Sequence, residues 1–471
     1  MTGTMASIMS STIINVAIPD MSLHFTLGQE RAQWVSSGFM VAMTVSMLTT
    51  PWLLARYGYR RTYAATMWLL LTGGIVGGVS NNFDVVLLAR VVEGLAAGVV
   101  QPIPAIIILR AFEPHEQGRA MGLFGMVVVL APALGPSIGG VLVDLFGWRS
   151  IFYMVVPFCL VSLWMASRYV PTTAPGGVAS NKDGATLDWR GLLLASVTTL
   201  GLLNGLVALH DAAFGQAAAL LGGSSIALAA FVWWQRRLGR GLPEGSANAG
   251  SNRQAPLMNL ALFSHRQFAM GSIVAFIYGT ALFGSTYLFP VYMQLGLGLS
   301  ASTVGTMLLP AGLVLAVTIA LVGRLADKQP AYRLVTIGLA LLALGFALMV
   351  TVGLKTSIWL ILVWAIVGRM GLGFVLPSLN LGAMRGLPPD LIAQGASAIN
   401  FLRMAGGATG VSLCAIVLQW RLAAHGESLA HPSTNPARLA AFNESFLMLA
   451  AICALAIIAA WQLREAKLTK C

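Results

Sequence analysis

Long apolar runs recur along the whole of this sequence and constrain its fold more than any other feature. Each is about 20 residues long, enough for an α-helix to cross the roughly 30 Å hydrocarbon core of a bilayer. Hydrophobic residues make up 57% of the 471 positions and charged residues only 9%, whereas ordinary globular domains carry about 25% charged residues. The sequence therefore predicts an all-α polytopic membrane protein rather than a soluble domain with a large core.

We predict fourteen membrane-spanning helices from these runs. They lie near residues 1–19, 33–54, 62–80, 85–108, 120–143, 150–170, 190–209, 217–235, 268–291, 302–323, 333–353, 357–380, 396–418 and 441–462. The first run starts at Met1 without a basic anchor and is diluted by serine and threonine. We therefore expect the natural chain to begin upstream of Met1.

Basic residues are distributed unequally between the two sides of the predicted membrane. Of the 28 lysines and arginines, twenty fall in loops on one side, five on the other, and three in or beside spans. Because basic loops stay in the cytoplasm, this bias predicts a bacterial inner-membrane protein with both termini cytoplasmic. The net charge of +12 is scattered over short loops, so it does not indicate nucleic-acid binding.

Two Gly/Ser/Pro-rich connections flank the seventh and eighth predicted spans, and they suggest an insertion between two halves. The predicted domains are an N-terminal six-helix bundle (1–170), two inserted helices with linkers (171–267), and a C-terminal six-helix bundle (268–471). The loop PWLLARYGYRR at 51–61 is echoed by GRLADKQPAYR at 323–333. Parallel repeats of this kind are typical of secondary transporters, whose substrate site lies between the halves.

The segment LAPALGPSIGGVLVDLFGWR at 130–149 places two prolines inside an apolar run, at Pro132 and Pro136. Membrane helices tolerate such residues because neighbouring helices satisfy the freed backbone groups. Small residues four positions apart allow another helix to approach closely; they are Ala131, Gly135 and Gly139. A kinked helix that moves between the halves and a statically packed helix both fit this pattern.

Several segments resemble the fourteen-helix drug:proton antiporters (EmrB/QacA type) of the major facilitator superfamily, and together they cover essentially the whole chain. They are SSTIINVAIPDM, PWLLARYGYRR, LLARVVEGLAAGVVQP, APALGPSIGGVLVD, GWRSIFY and GASAINFLRMAGGATGVSL. The resemblance implies a major facilitator fold of two six-helix bundles plus two inserted helices. It also implies proton-coupled export of amphipathic drugs or toxic compounds by alternating access. The residues that match the family's antiporter motif are Gly135, Pro136, Gly139 and Gly140.

Three departures from the family pattern affect its functional residues. The acidic residue that opens the helix-one signature is Ser10 here, and the glutamine of the helix-four element is Glu93. In the loop after span two, the usual glycine and aspartate are Pro51 and Ala55, whereas the second copy keeps an aspartate at Asp327. The family's proton-site and loop assignments therefore do not transfer unchanged.

Arg90 and Glu93 are the polar pair most indicative of function. Ionisable groups inside a span are costly and usually mark pathways or proton relays. Their i, i+3 spacing places both on one helix face, where they can pair. Glu93 lies nine residues after Asp84, or about 13 Å along a helix, near the membrane midplane. We predict that Glu93 carries the proton with Arg90 as its partner; the alternative is a purely structural ion pair.

Charged residues in the two repeated loops predict a latch between a loop and a helix end on the cytoplasmic side. The predicted latch residues are Arg56, Gly58, Arg60, Arg61, Asp327, Lys328 and Arg333. The alternative is that these are solvated loop charges.

A substrate cavity is predicted from polar, aromatic and methionine residues within the spans. Flexible methionines and aromatic walls suit a hydrophobic site that accepts several compounds, although such stripes also occur in ordinary helix packing. The predicted cavity residues are Thr12, Asn15, Met40, Met43, Gln101, Tyr278, Phe283, Tyr287, Asn380, Asn400 and Arg403.

Several motifs of other protein classes are missing from the sequence. No lysine follows a glycine as in a P-loop, and all six histidines fall in loops or at span ends. We therefore expect no enzymatic activity, no cofactor and no metal. The expected partners are small amphipathic substrates, protons and the lipid bilayer; a periplasmic adaptor is compatible with the sequence but not identified by it. A transporter of one specific metabolite and, more distantly, a membrane-embedded enzyme remain as alternatives.

Overall fold

The computed structural model describes residues 1–170, 186–210, 212–239, 256–353, 356–427 and 435–464. Within these ranges the regular structure is helical, with no strand. The sixteen α-helices are α1 Thr2–His24, α2 Gln29–Ser46, α3 Thr50–Tyr57, α4 Tyr59–Val79, α5 Phe83–Val100, α6 Ile103–Ala111, α7 Gln117–Phe146, α8 Ser150–Tyr169, α9 Trp189–His210, α10 Phe214–Gly239, α11 Arg266–Val291, α12 Ala301–Ala326, α13 Ala331–Met349, α14 Ile358–Met384, α15 Ile392–Ala424 and α16 Pro436–Trp461.

Twelve helical segments in the described part of the chain are long and apolar enough to cross a membrane. They include two pairs of adjoining helices, α2 with α3 and α5 with α6, each of which counts as one segment. Helices α1 and α7 are not among the twelve, and the apolar stretch that α7 contributes is the shorter Gln117–Pro132. Six serines and threonines in the first twelve residues lower the mean hydropathy of α1. An all-helical membrane fold with twelve candidate spans is thus established, whereas fourteen crossings are not.

The first eight helices pack mainly among themselves, with α1 against α7, α2 and α4 against α5, and α4 against α8. The last six do the same, through α11 with α15, α13 with α14, and α13 with α16. Contacts between the two sets run chiefly through α7, which packs on α12 and α14. We call these sets the N-terminal and C-terminal halves; the domain boundaries themselves stay a prediction.

Helices α9 and α10 pack against each other, and α9 also touches α2 and α15. At one end of the pair, Asp188 accepts hydrogen bonds from Trp234 Nε1 at 2.9 Å and from Gln235 Nε2 at 2.7 Å. It also accepts from the backbone N–H of Gly191 at 2.8 Å, which satisfies a free donor at the start of α9. The predicted linkers around this pair lie largely outside the described residues.

Glycines bring α7 and α12 into backbone contact between the halves. A Cβ atom added at Gly323 would lie 2.6 Å from the Cα of Gly122, and one at Gly122 would lie 2.7 Å from the Cα of Gly323. Such distances leave no room for a side chain, so the two helices meet at their glycine surfaces. This close approach positions the carboxylate of Asp327, which follows α12, against the start of α7.

Candidate functional site

Glu93 and Arg90 lie on α5 and are enclosed by the N-terminal half. Their side chains are 0% and 2% exposed, and an Arg90 nitrogen contacts Glu93 Oε2 in an ion pair. The i, i+3 spacing places the two groups one turn apart on one face, as the sequence predicts. A buried charge needs such a partner, since transferring a lone ion from water into an apolar interior is very costly.

Ser10 of α1 completes a three-residue network with this pair. Its hydroxyl accepts a hydrogen bond from Arg90 Nη1 at 2.7 Å and lies 3.2 Å from Glu93 Oε2, to which it can donate. Arg90 Nη2 also donates to the backbone carbonyl of Ser10 at 3.0 Å. Position 10, where the resemblance implies an acid, therefore directly faces the acid that this chain carries on α5.

The walls around the ion pair are apolar and tight. The guanidinium of Arg90 lies 4.2 Å from the centre of the Phe39 ring on α2, a cation–π contact. A Cβ added at Gly73 of α4 would lie 2.6 Å from Glu93 Cγ, and one at Gly74 would lie 3.4 Å from Glu93 Oε1. Oε1 is buried and has no hydrogen-bond partner among the described residues. One carboxylate oxygen is thus held by Arg90 and Ser10, while the other is available to bind a proton.

The antiporter-motif glycines belong to α7, and two of them contact α1 within one turn of Ser10. A Cβ at Gly135 would lie 2.4 Å from Thr12 Oγ1, and one at Gly139 would lie 2.5 Å from Ile13 Cγ1. By contrast, a Cβ at Gly140 would meet no atom within 4 Å. The side chain of Pro136 lies outside the described residues. Gly135 and Gly139 of α7 therefore pack directly against α1, whereas Gly140 does not.

Asp327 joins the two halves at the end of the molecule where α7 begins. Its Oδ1 accepts from the backbone N–H of Gly118 at 2.6 Å, and its Oδ2 accepts from that of Arg119 at 3.0 Å. The first N–H groups of a helix have no partner within the helix, and the helix dipole favours an anion there. Asp327 thus caps a helix of the opposite half.

The other predicted latch residues do not share this contact. Arg60 donates from Nε to the carbonyl of Val170 at 3.0 Å and also contacts the Ser167 carbonyl, both within its own half. Gly58 has a φ of +77° at the junction of α3 and α4, a value that favours glycine. Four further residues are exposed: Arg56, Arg61, Lys328 and Arg333.

Sequence reasoning missed two contributors to the contact between the halves. Arg110 donates from Nη1 to the Tyr59 hydroxyl at 2.9 Å and from Nη2 to the Pro389 carbonyl of the other half at 3.0 Å. The glycine surface of α7 was signalled by the G-x-x-x-G pattern at 118–122, which marks close helix approach. The arginine had no comparable signal, because its acceptor lies 279 positions away.

Part of the predicted cavity comes together where the halves face each other. Met43 of α2 clusters with Met404 of α15, and the half-buried side chains of Met40 and Phe283 pack on them. Gln101 Nε2 lies 3.6 Å from Met43 Sδ. Met404 was not among the predicted residues. These side chains form an apolar cluster contributed by both halves, which we call the methionine-rich lining of the predicted cavity.

The remaining predicted cavity residues are spread over several places. Arg403 donates from Nη2 to Asn400 Oδ1 at 2.8 Å. Tyr278 is completely buried, and its hydroxyl has no hydrogen-bond partner among the described residues. Thr12 packs in the α1–α7 contact. The exposed Asn15 side chain accepts from Ser36 Oγ at 2.9 Å. Tyr287 is half-buried, and Asn380 is 9% exposed near the end of α14.

No group of three or more histidine, cysteine, aspartate or glutamate side chains is placed to hold a metal ion within the described ranges. Among the cysteines, Cys159, Cys414 and Cys453 are free thiols buried in helices. The side chains that gather at the site are those of an ion pair, a helix cap and an apolar lining. This set offers a buried carboxylate that can take up a proton and an apolar surface contributed by both halves.

Comparison with solved structures relates this fold to that of known transporters. The human organic anion transporter MFSD10 matches with a TM-score of 0.66 and 14% identity, covering 98% of this chain and 97% of the other. The proton:xylose symporter XylE matches with a TM-score of 0.64 and 13% identity, covering 98% and 94%. At these identities the likeness concerns the fold alone.

Sequence comparison with curated proteins adds bacterial relatives. The lincomycin resistance protein LmrB of Listeria monocytogenes is 26% identical over 415 residues, covering 87% of this chain and 83% of the relative. A multidrug resistance protein B homolog of Mycobacterium tuberculosis is 28% identical over 439 residues, covering 90% and 76%. The model of the Major Facilitator Superfamily matches residues 1–411. The chain therefore belongs to the Major Facilitator Superfamily.

Proposed function

We propose that this multi-pass membrane transporter exports amphipathic compounds from the bacterial cytoplasm in exchange for protons, by alternating access. The observation that carries the proposal is the enclosed Glu93, paired with Arg90 and Ser10 but with one carboxylate oxygen unpartnered. Relatives named for lincomycin and multidrug resistance support export of drug-like compounds. We further propose that the chain is of the fourteen-helix EmrB/QacA type, in the inner membrane with both termini cytoplasmic.

Glu93 is the proton carrier in this mechanism. The ionised carboxylate balances the charge of Arg90 in a region that water does not reach in this conformation. Protonation removes that balance and leaves the guanidinium with neutral partners only, which is unfavourable in a buried site. Arg90 must then move towards water or another acceptor, so proton binding favours a different arrangement of α1, α2 and α5.

The packing supplies a route from the ion pair to the contact between the halves. Arg90 holds the backbone and side chain of Ser10, and the next turn of α1 carries Thr12 and Ile13, which fit against Gly135 and Gly139 of α7. Helix α7 in turn forms the main contact with the C-terminal half. Because packed cores switch between discrete arrangements rather than deform continuously, a shift of α1 is transmitted through α7.

The two helices outside the twelve candidate spans complete the proposed fourteen crossings. Helix α7 has 30 residues, a length of about 45 Å, and α1 has 23 residues, about 35 Å. Both lengths exceed the roughly 30 Å of the hydrocarbon core. Each also packs along transmembrane neighbours, α1 on α2 and α8, and α7 on α12. Their polar and glycine-rich surfaces therefore face protein rather than lipid.

The decisive experiment is gradient-driven transport in proteoliposomes that contain the Glu93→Gln variant. We expect the variant to insert and fold, because glutamine keeps the size of the side chain, but to lose uphill transport driven by an imposed pH gradient. The double variant Ser10→Asp/Glu93→Gln should recover part of that transport. An acid at position 10 can pair with the same guanidinium, since Ser10 Oγ already lies 2.7 Å from Arg90 Nη1.

Glu444→Gln is the matched control, since Glu444 is ion-paired with Arg421 in the C-terminal half, away from Arg90. We expect it to transport like the wild type. Uphill transport by Glu93→Gln at the wild-type rate would reduce Glu93 to a structural partner of Arg90 and refute the mechanism.

A further inference from the structure

Two arginines lie deep within the helices of the C-terminal half. Arg369 is eleven residues from the start of α14, and Arg403 is eleven residues from the start of α15. At 1.5 Å per residue each guanidinium is anchored about 16 Å along its helix. Tyr278 is twelve residues into α11, at a similar depth of about 18 Å. The three residues thus occupy the middle layer of the C-terminal half.

Neither arginine forms an ion pair within the described residues, in contrast to Arg90. The sequence explains why, because from residue 266 onwards it has acidic residues only at Asp327, Asp390, Glu427, Glu444 and Glu465. Asp327 caps α7, Asp390 precedes α15, and Glu427 follows α15. Glu444 is held by Arg421 and His425, and Glu465 follows α16. The middle layer of this half therefore carries two positive charges and no negative one.

The polar groups near the arginines include one buried hydroxyl that lacks a partner among the described residues. Arg403 is 7% exposed and uses Nη2 to hold Asn400 Oδ1 at 2.8 Å. The hydroxyl of Tyr278 is fully buried without a hydrogen-bond partner among the described residues, and Arg403 and Arg369 are close enough for their charges to act on it. An added Cβ at the adjacent Gly279 would lie 2.0 Å from the Arg403 carbonyl oxygen, so α11 and α15 are in contact at this level. A buried hydroxyl without a partner is costly. An acceptor placed between these groups would satisfy the hydroxyl and balance the charges together.

An apolar surface adjoins this charged layer. Phe283 lies five positions beyond Tyr278 on α11, and Met404 is the neighbour of Arg403 on α15. The ring of Phe283 lies at Gly407 of α15, where an added Cβ would be 2.4 Å away. Phe283 and Met404 belong to the methionine-rich lining that also includes residues of α2. A ligand that reaches both regions needs an anionic end and a hydrophobic body.

We propose that Arg369 and Arg403, with the Tyr278 hydroxyl, bind the anionic group of the transported compound, so that the substrates are amphipathic carboxylates, sulfonates or phosphates rather than cations. This proposal rests on the transport function proposed above and specifies its substrate class. Arginine suits the role because its planar donors match such oxyanions. Uncompensated charges inside a membrane protein are expensive and typically mark a substrate pathway. The enclosed Glu93, already paired with Arg90, offers no free carboxylate for a cationic drug.

The test uses the full-length protein in lipid nanodiscs and two probes that share an aromatic body. Naphthalene-2-sulfonate carries a negative charge, and 2-naphthyltrimethylammonium carries a positive one. Binding of each is measured by calorimetry for the wild type, Arg369→Gln, Arg403→Gln, their double variant and Tyr278→Phe. We expect the wild type to bind the sulfonate at least about ten-fold more tightly than the ammonium compound, and the double variant to lose that preference.

A stability measurement distinguishes a binding role from a structural one. If the arginines are substrate ligands, neutralising them removes an electrostatic cost, so the melting temperature of the ligand-free protein should stay the same or rise. Arg403→Lys should retain part of the sulfonate affinity. Arg421→Gln is the matched control, since Arg421 pairs with Glu444 near the end of α15, and it should bind both probes like the wild type.

Equal or tighter binding of the ammonium compound by the wild type would overturn the proposal, as would undiminished sulfonate binding by the double variant. Comparing the affinities of the two probes for the wild type tests the proposal even if a variant fails to fold. Proton coupling is tested separately with Glu93→Gln, which should still bind the sulfonate. Sulfonate binding without gradient-driven transport would contradict the proposed export function and leave the anion site standing.

Discussion

Replacing Asp327 with asparagine tests whether the cap on α7 stabilises the conformation in which the halves meet at this end. In the structure both carboxylate oxygens accept backbone N–H groups of α7, from Gly118 and Arg119. Asparagine is nearly the same size but has only one acceptor oxygen, and its NH₂ group would face an N–H donor. The substitution therefore removes the negative charge and one of two hydrogen bonds without opening a cavity.

The magnitude follows from the interactions that are lost. A hydrogen bond to a charged group contributes about 1.5–3 kcal/mol, and an anion at a helix N-terminus contributes about 0.3–1 kcal/mol. Asp327 is only half-buried, so we take the lower end of each range and expect a total loss of about 1.8 kcal/mol. That is roughly a twenty-fold shift from the closed towards the open arrangement of this end, since 1.4 kcal/mol corresponds to a factor of ten.

The shift is measured as a distance distribution between spin labels at Glu113→Cys and Gln329→Cys, two exposed positions on opposite halves. The native cysteines Cys159, Cys414 and Cys453 are buried and should not react with the label, and Cys471 is replaced by serine. We expect Asp327→Asn to populate longer distances and to slow transport several-fold. Its melting temperature should stay near that of the wild type, because the cap joins two halves that are each packed internally.

Unchanged distance distributions together with wild-type transport would show that Asp327 has no part in closing this end. A lowered melting temperature with unchanged distances would instead assign it to folding.

Glycine positions provide paired tests of the same contacts, with substitution to alanine in each case. Gly323→Ala should force α12 away from α7 and slow transport at least several-fold. Gly312→Ala is its control on the same helix, because an added Cβ there meets no atom within 4 Å, and this variant should transport normally. Equal transport rates for the two variants would show that the close approach is dispensable. Gly139→Ala should impair transport through its contact with α1, while the neighbouring Gly140→Ala should not, and reconstituted transport assays compare the pair. Ser10→Ala should lower the free energy of unfolding by about 1–3 kcal/mol, because it removes a partner of the buried ion pair; a denaturation midpoint equal to the wild type would contradict this.

The helices were predictable from the sequence where the signal is local. The run predicted at 190–209 lies within Trp189–His210, because hydropathy and helix length are properties of the segment itself. Helix α1 shows the limit of that signal. Several of its hydroxyls are satisfied by its own backbone: Ser7 Oγ donates to the Thr4 carbonyl at 2.9 Å, and Ser11 Oγ donates to that of Ile8. A hydropathy scale counts these hydroxyls as polar, although their hydrogen bonds are already made within the helix.

The same distinction applies to the site. The pairing of Arg90 with Glu93 follows from i, i+3 spacing on one helix, so the sequence was sufficient to predict it. The sequence also predicted that Asp327 reaches a helix end, but not which one, because its partner Gly118 lies 209 positions away. Such contacts depend on how two bundles dock, and a single sequence carries no direct record of that geometry.

The placement of Arg90 and Glu93 on one helix also affects how the chain enters the membrane. An arginine or aspartate alone at the centre of a nascent span adds about 2.5–3.5 kcal/mol to the cost of insertion. Here both charges belong to α5 and are one turn apart, so the segment can leave the translocon already neutralised. If the acid were on α1 instead, Arg90 of α5 would stay unpaired until the two helices met. Because Glu93 lies on the same helix as Arg90, the insertion of α5 does not depend on the arrival of α1.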